Sequence, residues 1–386
     1  MPFRHFEFEG LNMQWKALAV VSTMLIAGCS TSHIKPYSSA DVAKAEGEEN
    51  RLWHSADRYE KQLKNSSRVY GNETLQVYLQ GIMDKLYPEF KGNIRVYVLK
   101  QPVLNAFALP NGGVYVNTGL IAAMENEAQL AAVLAHEGIH YINRHSMKQR
   151  EVRKMTSAFA TATMLAGFPL LGSVGLASTV TGYSRDLERE ADDEGYIRLV
   201  EAGYDPSQST VAFEALAREA RASEVKRPMF FSTHPAMEER IEHFQKLQEK
   251  DDKVRGKDIH ADRYQSHVEH LRKEVLKNKL ETGRYSEIIA TFEAPSQEAL
   301  YDETDQYILA EAFRMRDKVD DKGKAIALYK ELMTFDENYA PPYKAMGLLS
   351  YKEKDFSQAK VFLKKYLELE PESTDGPFIK QYLEML

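Results

Sequence analysis

Apolar residues recur at helical spacing in two early segments, ENRLWHSADRYEKQL (residues 49–63) and ETLQVYLQGIMDKLYP (residues 73–88), and predict a helix over each. The period then changes to that of strands. IRVYVL at Ile94–Leu99, AFALP at Ala106–Pro110 and GGVYVNTG at Gly112–Gly119 read as short strands, and the Asn111-Gly112-Gly113 turn predicts a hairpin between the last two. Helical text resumes behind Asn126, an N-cap residue with Gln129 three positions on. These elements predict an α+β domain that is mostly helical around a small β-sheet.

The run from Met155 to Ser184 carries no charge, but Gly167, Pro169, Gly172, Gly175 and Gly182 interrupt it. A buried or lid-like helix pair fits that punctuation better than a membrane span. A charged connector, QEKDDKVRGKD at Gln248–Asp258, marks a domain boundary, and the text beyond it is helical to the end. There KAIALYKELMTFDENYAPPYKAMG aligns with QAKVFLKKYLELEPEST at a period of about 34 residues, with Ala325 over Ala359, Tyr329 over Leu363 and Phe335 over Leu369. That period resembles the tetratricopeptide (TPR) repeat, so residues 262–386 read as an all-α TPR-like domain that recruits a protein partner.

The chain has 386 residues, 43% of them hydrophobic and 28% charged, enough to bury a sizeable core. A net charge of -7, spread without a basic stripe, argues against nucleic-acid binding. Cys29 is the single cysteine, which excludes an intrachain disulfide. It ends the run MQWKALAVVSTMLIAGC, in which one lysine precedes a short apolar stretch closing on small residues. Ile26-Ala27-Gly28-Cys29 resembles a bacterial lipobox. The resemblance implies that residues 1–28 are a removed signal peptide, that Cys29 is lipidated and that polar residues 29–48 tether the protein. Ser30 after the cysteine implies the periplasmic face of the outer membrane.

The chemistry lies in LAAVLAHEGIHYINRH, Leu130–His145. Apolar residues on nearly every side predict a buried helix, and burying His136, Glu137 and His140 there costs several kcal/mol unless each finds a partner. His136 and His140, four apart, share one helix face and can reach one ion; Glu137, rotated by about 100°, stands beside that ion as a general base. Downstream, YSRDLEREAD offers Glu188 as a third ligand, with Asp192 on the same face to receive the free N–H of a ligand histidine. Two histidines and a glutamate leave a fourth position open, the pattern of catalytic zinc.

In order and spacing, NAFALPNGGVYVNTGLI, LAAVLAHEGIHYINRH, YSRDLEREAD and FSTHPAMEERI resemble the HtpX/BepA family of zinc metallopeptidases over about residues 50–245. The resemblance implies a gluzincin-like peptidase domain at residues 49–250, one Zn²⁺ on His136, His140 and Glu188, and Glu137 as base. Asp192 supports the ligands, and His234 stabilises the oxyanion or takes the open zinc position. It further implies unfolded or misassembled envelope proteins as substrates, held extended along an edge strand at Gly113, Val114, Tyr115, Val116 and Asn117. A chaperone-like factor with a latent protease site is the alternative. Gly138 departs from the larger residue usual in the family, at a cost of about 1 kcal/mol of helix propensity. Arg240 reads as a structural pairing residue, and His145, His243, His260, His267 and His270 as surface residues.

Overall fold

The computed structural model describes residues 34–38, 47–151, 182–223, 229–250, 257–293 and 301–386. Cys29 and its leader lie outside the described residues, as does the uncharged run except for its last three residues, Gly182–Ser184.

Helix α1 (Gly47–Lys64) leads to α2 (Glu73–Leu86), which Asn72 opens by accepting from the Leu75 N–H and which ends at Tyr87, the residue before Pro88. Strands β1 (Arg95–Leu99), β2 (Ala106–Ala108) and β3 (Gly113–Asn117) form one sheet in the order β1-β3-β2. The predicted hairpin is the antiparallel β2–β3 pair, with Phe107 opposite Tyr115. Its turn needs glycine at 112, where φ is +82° and a Cβ would fall 2.2 Å from the Asn93 carbonyl oxygen. β1 runs parallel to β3, so the connection between them passes through β2.

Below the sheet lie α3 (Thr118–Ala123) and α4 (Glu127–Ile142), the latter buried along its whole length. Asn126 caps α4 by accepting from the Gln129 N–H, while the Gln129 side chain reaches back one residue further, to the Glu125 N–H. Helices α5 (Arg185–Glu201), α6 (Ser207–Ala222), α7 (Met229–Thr233) and α8 (Met237–Lys250) complete the layer around α4. Gly195 and Ala191 let α5 approach α4 closely: a Cβ on Gly195 would meet the His136 backbone nitrogen at 3.2 Å.

Helix α9 (Ala261–Glu281) joins two cores. Tyr264, Val268, Leu271 and Val275 belong to the core of the sheet and α4, whereas Leu276 packs with the helices that follow. Arg272 donates to the carbonyls of Ala122 and Met124, and Lys279 pairs with Glu219 on α6, so α9 is bolted to the first of these cores. The remainder is helical: α10 (Tyr285–Phe292), α11 (Glu303–Arg316), α12 (Asp321–Phe335), α13 (Ala340–Lys352), α14 (Phe356–Leu369) and α15 (Gly376–Glu384), each packed on the next. Ala325, Ala359, Tyr329 and Leu363 are all buried, as a shared repeat position requires, but Phe335 is 74% exposed. Among the described residues no helix is long and apolar enough to cross a membrane.

Candidate metal centre

Helix α4 presents His136 and His140 on one face, and the close crossing of α5 brings Glu188 against them. Glu188 Oε1 lies 3.5 Å from His140 Nε2, and Glu188 Oε2 3.5 Å from His136 Nε2. The two Nε2 atoms are 2.9 Å apart. His234, in the turn after α7, completes the group with Nδ1 3.2 Å from Glu188 and 3.3 Å from His136 Nε2. The four residues are buried and offer ligand atoms that all lie within 4.8 Å of one another.

Zinc fits this donor set. Tetrahedral bonds of 2.0–2.1 Å put ligand atoms about 3.3 Å apart, within the range observed here, and three imidazoles with one carboxylate suit Zn²⁺. Two imidazole lone pairs 2.9 Å apart repel unless a cation or a proton lies between them. Burial and Arg240 push the His136 imidazole down, yet Asp192 and Glu188 outweigh them and hold it up at about 9. His140, buried beside His136, lies well below its usual value. The cluster is therefore able to hold one metal ion in place of that proton.

Asp192 is where the helical spacing put it, with Oδ1 2.9 Å from His136 Nδ1. Glu137 is fully buried and neither of its oxygens has a hydrogen-bond partner; His234 Nε2 lies 3.3 Å from Oε1. A carboxyl in the core without a hydrogen bond costs several kcal/mol, so its place here is explained by chemistry rather than by folding.

Four sequence expectations change. His145 is not on the surface: it is fully buried, and its Nδ1 lies 2.7 Å from His140 Nδ1. On a continuous helix a residue five positions on points about 140° away. Here α4 stops at Asn143 and Arg144 adopts φ 56°, which turns the chain back; Asn143 as a helix stop was the available signal. Arg240 pairs, but with the site itself: it donates to both Asp192 oxygens, at 2.8 and 2.6 Å, and its Nη1 lies 2.8 Å from Glu188 Oε2. Burial raises both carboxyls, and the charges of Arg240 and the neighbouring histidines reverse that, holding Glu188 well below the usual carboxylate range and Asp192 below it.

His234 sits among the ligand atoms, so the fourth position is not left open to water alone. Last, β3 is the central strand, paired with β1 on one side and β2 on the other, and Gly113–Asn117 has no edge to offer. The outer edge of β1 is met by Gln76, Gln80 and the 68–70 segment. That leaves β2, whose Phe107 lines a cleft of about 710 Å³ together with Leu52, Pro110, Tyr183 and His234. Of the other histidines, His270 is exposed, and none of His243, His260 and His267 reaches the cluster.

Gly138 is also explained. A Cβ there would fall 2.2 Å from Tyr87 Cε2, because the Tyr87 ring lies against α4 and its hydroxyl donates to the Ala135 carbonyl.

Residues 71–248 match the model of peptidase family M48. The chain is 27% identical over 220 residues to the beta-barrel assembly-enhancing protease of Escherichia coli (strain K12), covering 53% of this chain and 44% of that protein. It is 34% identical over 159 residues to metalloprotease LoiP of the same organism, covering 39% of this chain and 60% of LoiP. A third relative is the mitochondrial metalloendopeptidase OMA1 of Schizosaccharomyces pombe, 32% identical over 156 residues, which are 38% of this chain and 44% of that one. The chain thus spans between 44% and 60% of these relatives' lengths.

Proposed function

We propose, from the match of residues 71–248 to the model of peptidase family M48, that the chain is a zinc-dependent endopeptidase of the bacterial envelope that hydrolyses misfolded or misassembled envelope proteins. One observation carries the reading: Glu137, buried with neither oxygen in a hydrogen bond, stands next to His136 in sequence and beside four converging ligand atoms. His136, His140 and Glu188 would hold the zinc, which when bound would supply a Lewis acid for the scissile carbonyl and for the attacking water. Glu137 accepts the proton of the attacking water and passes it to the leaving amine. Asp192 orients His136 through Nδ1, and Arg240 offsets the charge of both carboxylates. The substrate chain pairs with the outer edge of β2 and lays side chains over Phe107 and Pro110.

His234, already among the ligand atoms, favours a gated site, in which the imidazole leaves when substrate arrives. The names of the relatives support the substrate class, Cys29 a lipid anchor on the outer membrane, and the helices from Glu303 onward a TPR-like surface for a protein partner.

Protein purified without chelator is expected to carry about one zinc per chain, as a catalytic site with two histidine ligands and one glutamate does. His136→Ala and Glu188→Ala lose it; full retention in Glu188→Ala would place the ligand elsewhere.

A further inference from the structure

We propose that His145 is a positioning residue for the metal site, fixing the tautomer and ring orientation of His140 through a relay that ends on Glu190. The inference rests on His136, His140 and Glu188 being the metal ligands.

The proton order follows from the contacts. With Nε2 of His140 facing His136 and Glu188, its lone pair is the one directed into the site, and its proton must sit on Nδ1. That Nδ1 lies 2.7 Å from Nδ1 of His145, which therefore accepts and carries its own proton on Nε2. Nε2 in turn lies 3.5 Å from Glu190 Oε2, without a hydrogen bond, so that Glu190 acts on it through its charge. Glu190 is anchored by Lys148 Nζ at 2.9 Å and by the Asn143 amide at 2.8 Å. On the other side, the Tyr183 ring stacks on His140 with centroids 4.0 Å apart and planes 12° apart. His140 is thus held in its plane by His145 and across its plane by Tyr183.

The backbone is bent to achieve this. Arg144 is a non-glycine residue at φ 56°, a conformation that costs about 1–2 kcal/mol. It is retained by an ion pair to Glu49 and by the guanidinium lying 5.1 Å over the Tyr37 ring. Without the reversal at Arg144, the His145 side chain would point away from His140.

The test is metal affinity, read by competition with a chromophoric zinc chelator on the full-length protein. Loss of such an outer partner lowers affinity by about 10–100-fold, and that is the expectation for His145→Ala. His145→Gln, whose amide oxygen can accept from His140 Nδ1, should recover most of the loss. Glu190→Ala, at a partly exposed position, should lower affinity several-fold with the fold intact by circular dichroism. Wild-type affinity in His145→Ala would overturn the proposal, as would His145→Gln no better than alanine, which would mean the imidazole only fills space. If the wild type itself bound no zinc, the functional reading would fail first.

Discussion

Gly138→Ala is the sharpest test of how the active-site helix is packed. Alanine is the better helix former by about 1 kcal/mol, so secondary structure alone predicts a more stable protein. Packing predicts the reverse. The new methyl would lie 2.2 Å from Tyr87 Cε2 and 2.5 Å from Cζ, against an ordinary carbon–carbon contact of about 3.5–4.0 Å. Tyr87 is 1% exposed, so its ring has no room to retreat, and moving it breaks the hydroxyl's bond to the Ala135 carbonyl. Overpacking of this kind costs about 1–3 kcal/mol, and the strained hydrogen bond about 1 more. Net of propensity, Gly138→Ala should destabilise by about 1–3 kcal/mol. In a Tyr87→Leu background the clash is gone and the same substitution should be neutral or stabilising, giving a coupling of about 2 kcal/mol. Urea unfolding followed by far-UV circular dichroism on the four proteins of the cycle measures it. Additive effects, or a Gly138→Ala protein as stable as wild type, would refute the reasoning.

Further outcomes follow from the buried charges. Lys279→Met leaves Glu219 buried without its 2.7 Å partner and should cost about 3–5 kcal/mol in urea unfolding; adding Glu219→Gln should return most of it. Burial and the neighbouring Asp302 raise the Asp305 carboxyl to about 6. A raised folded-state value means that the ionised form costs stability above pH 6, and that the cost fades as pH falls from 6 toward 4. Asp305→Asn should therefore exceed wild type by about 1 kcal/mol at pH 8, after allowing for solvent screening, and match it near pH 4. An equal difference at both pH values would exclude the titration as cause. Phe107→Asp should lower kcat/KM for apolar peptides by about tenfold, as one lost hydrophobic subsite does, with zinc content unchanged; an unchanged kcat/KM would take the substrate off β2.

What could be read from the sequence was local. The His136–His140 and Glu188–Asp192 pairs are each four apart on one helix, and the hairpin turn is written in Asn111-Gly112-Gly113, so each lies within reach of a periodic rule. What was misread depends on chain reversal or on pairing at a distance. His145 left the helical register at Arg144, Arg240 comes from a helix whose orientation against α5 no spacing encodes, and the middle place of β3 follows from β1 pairing on its far side. Gly138, costly by propensity alone, makes sense only beside Tyr87, a residue distant in the sequence.

The central claim is that Glu137 is the general base of a zinc peptidase. Casein hydrolysis by wild type and Glu137→Gln, each with its zinc content determined, tests it most directly. The account predicts equal zinc in both and a loss of at least about 100-fold in the variant, the scale of general-base catalysis, because an amide cannot take the water's proton. Hydrolysis by Glu137→Gln within a few-fold of wild type would contradict it.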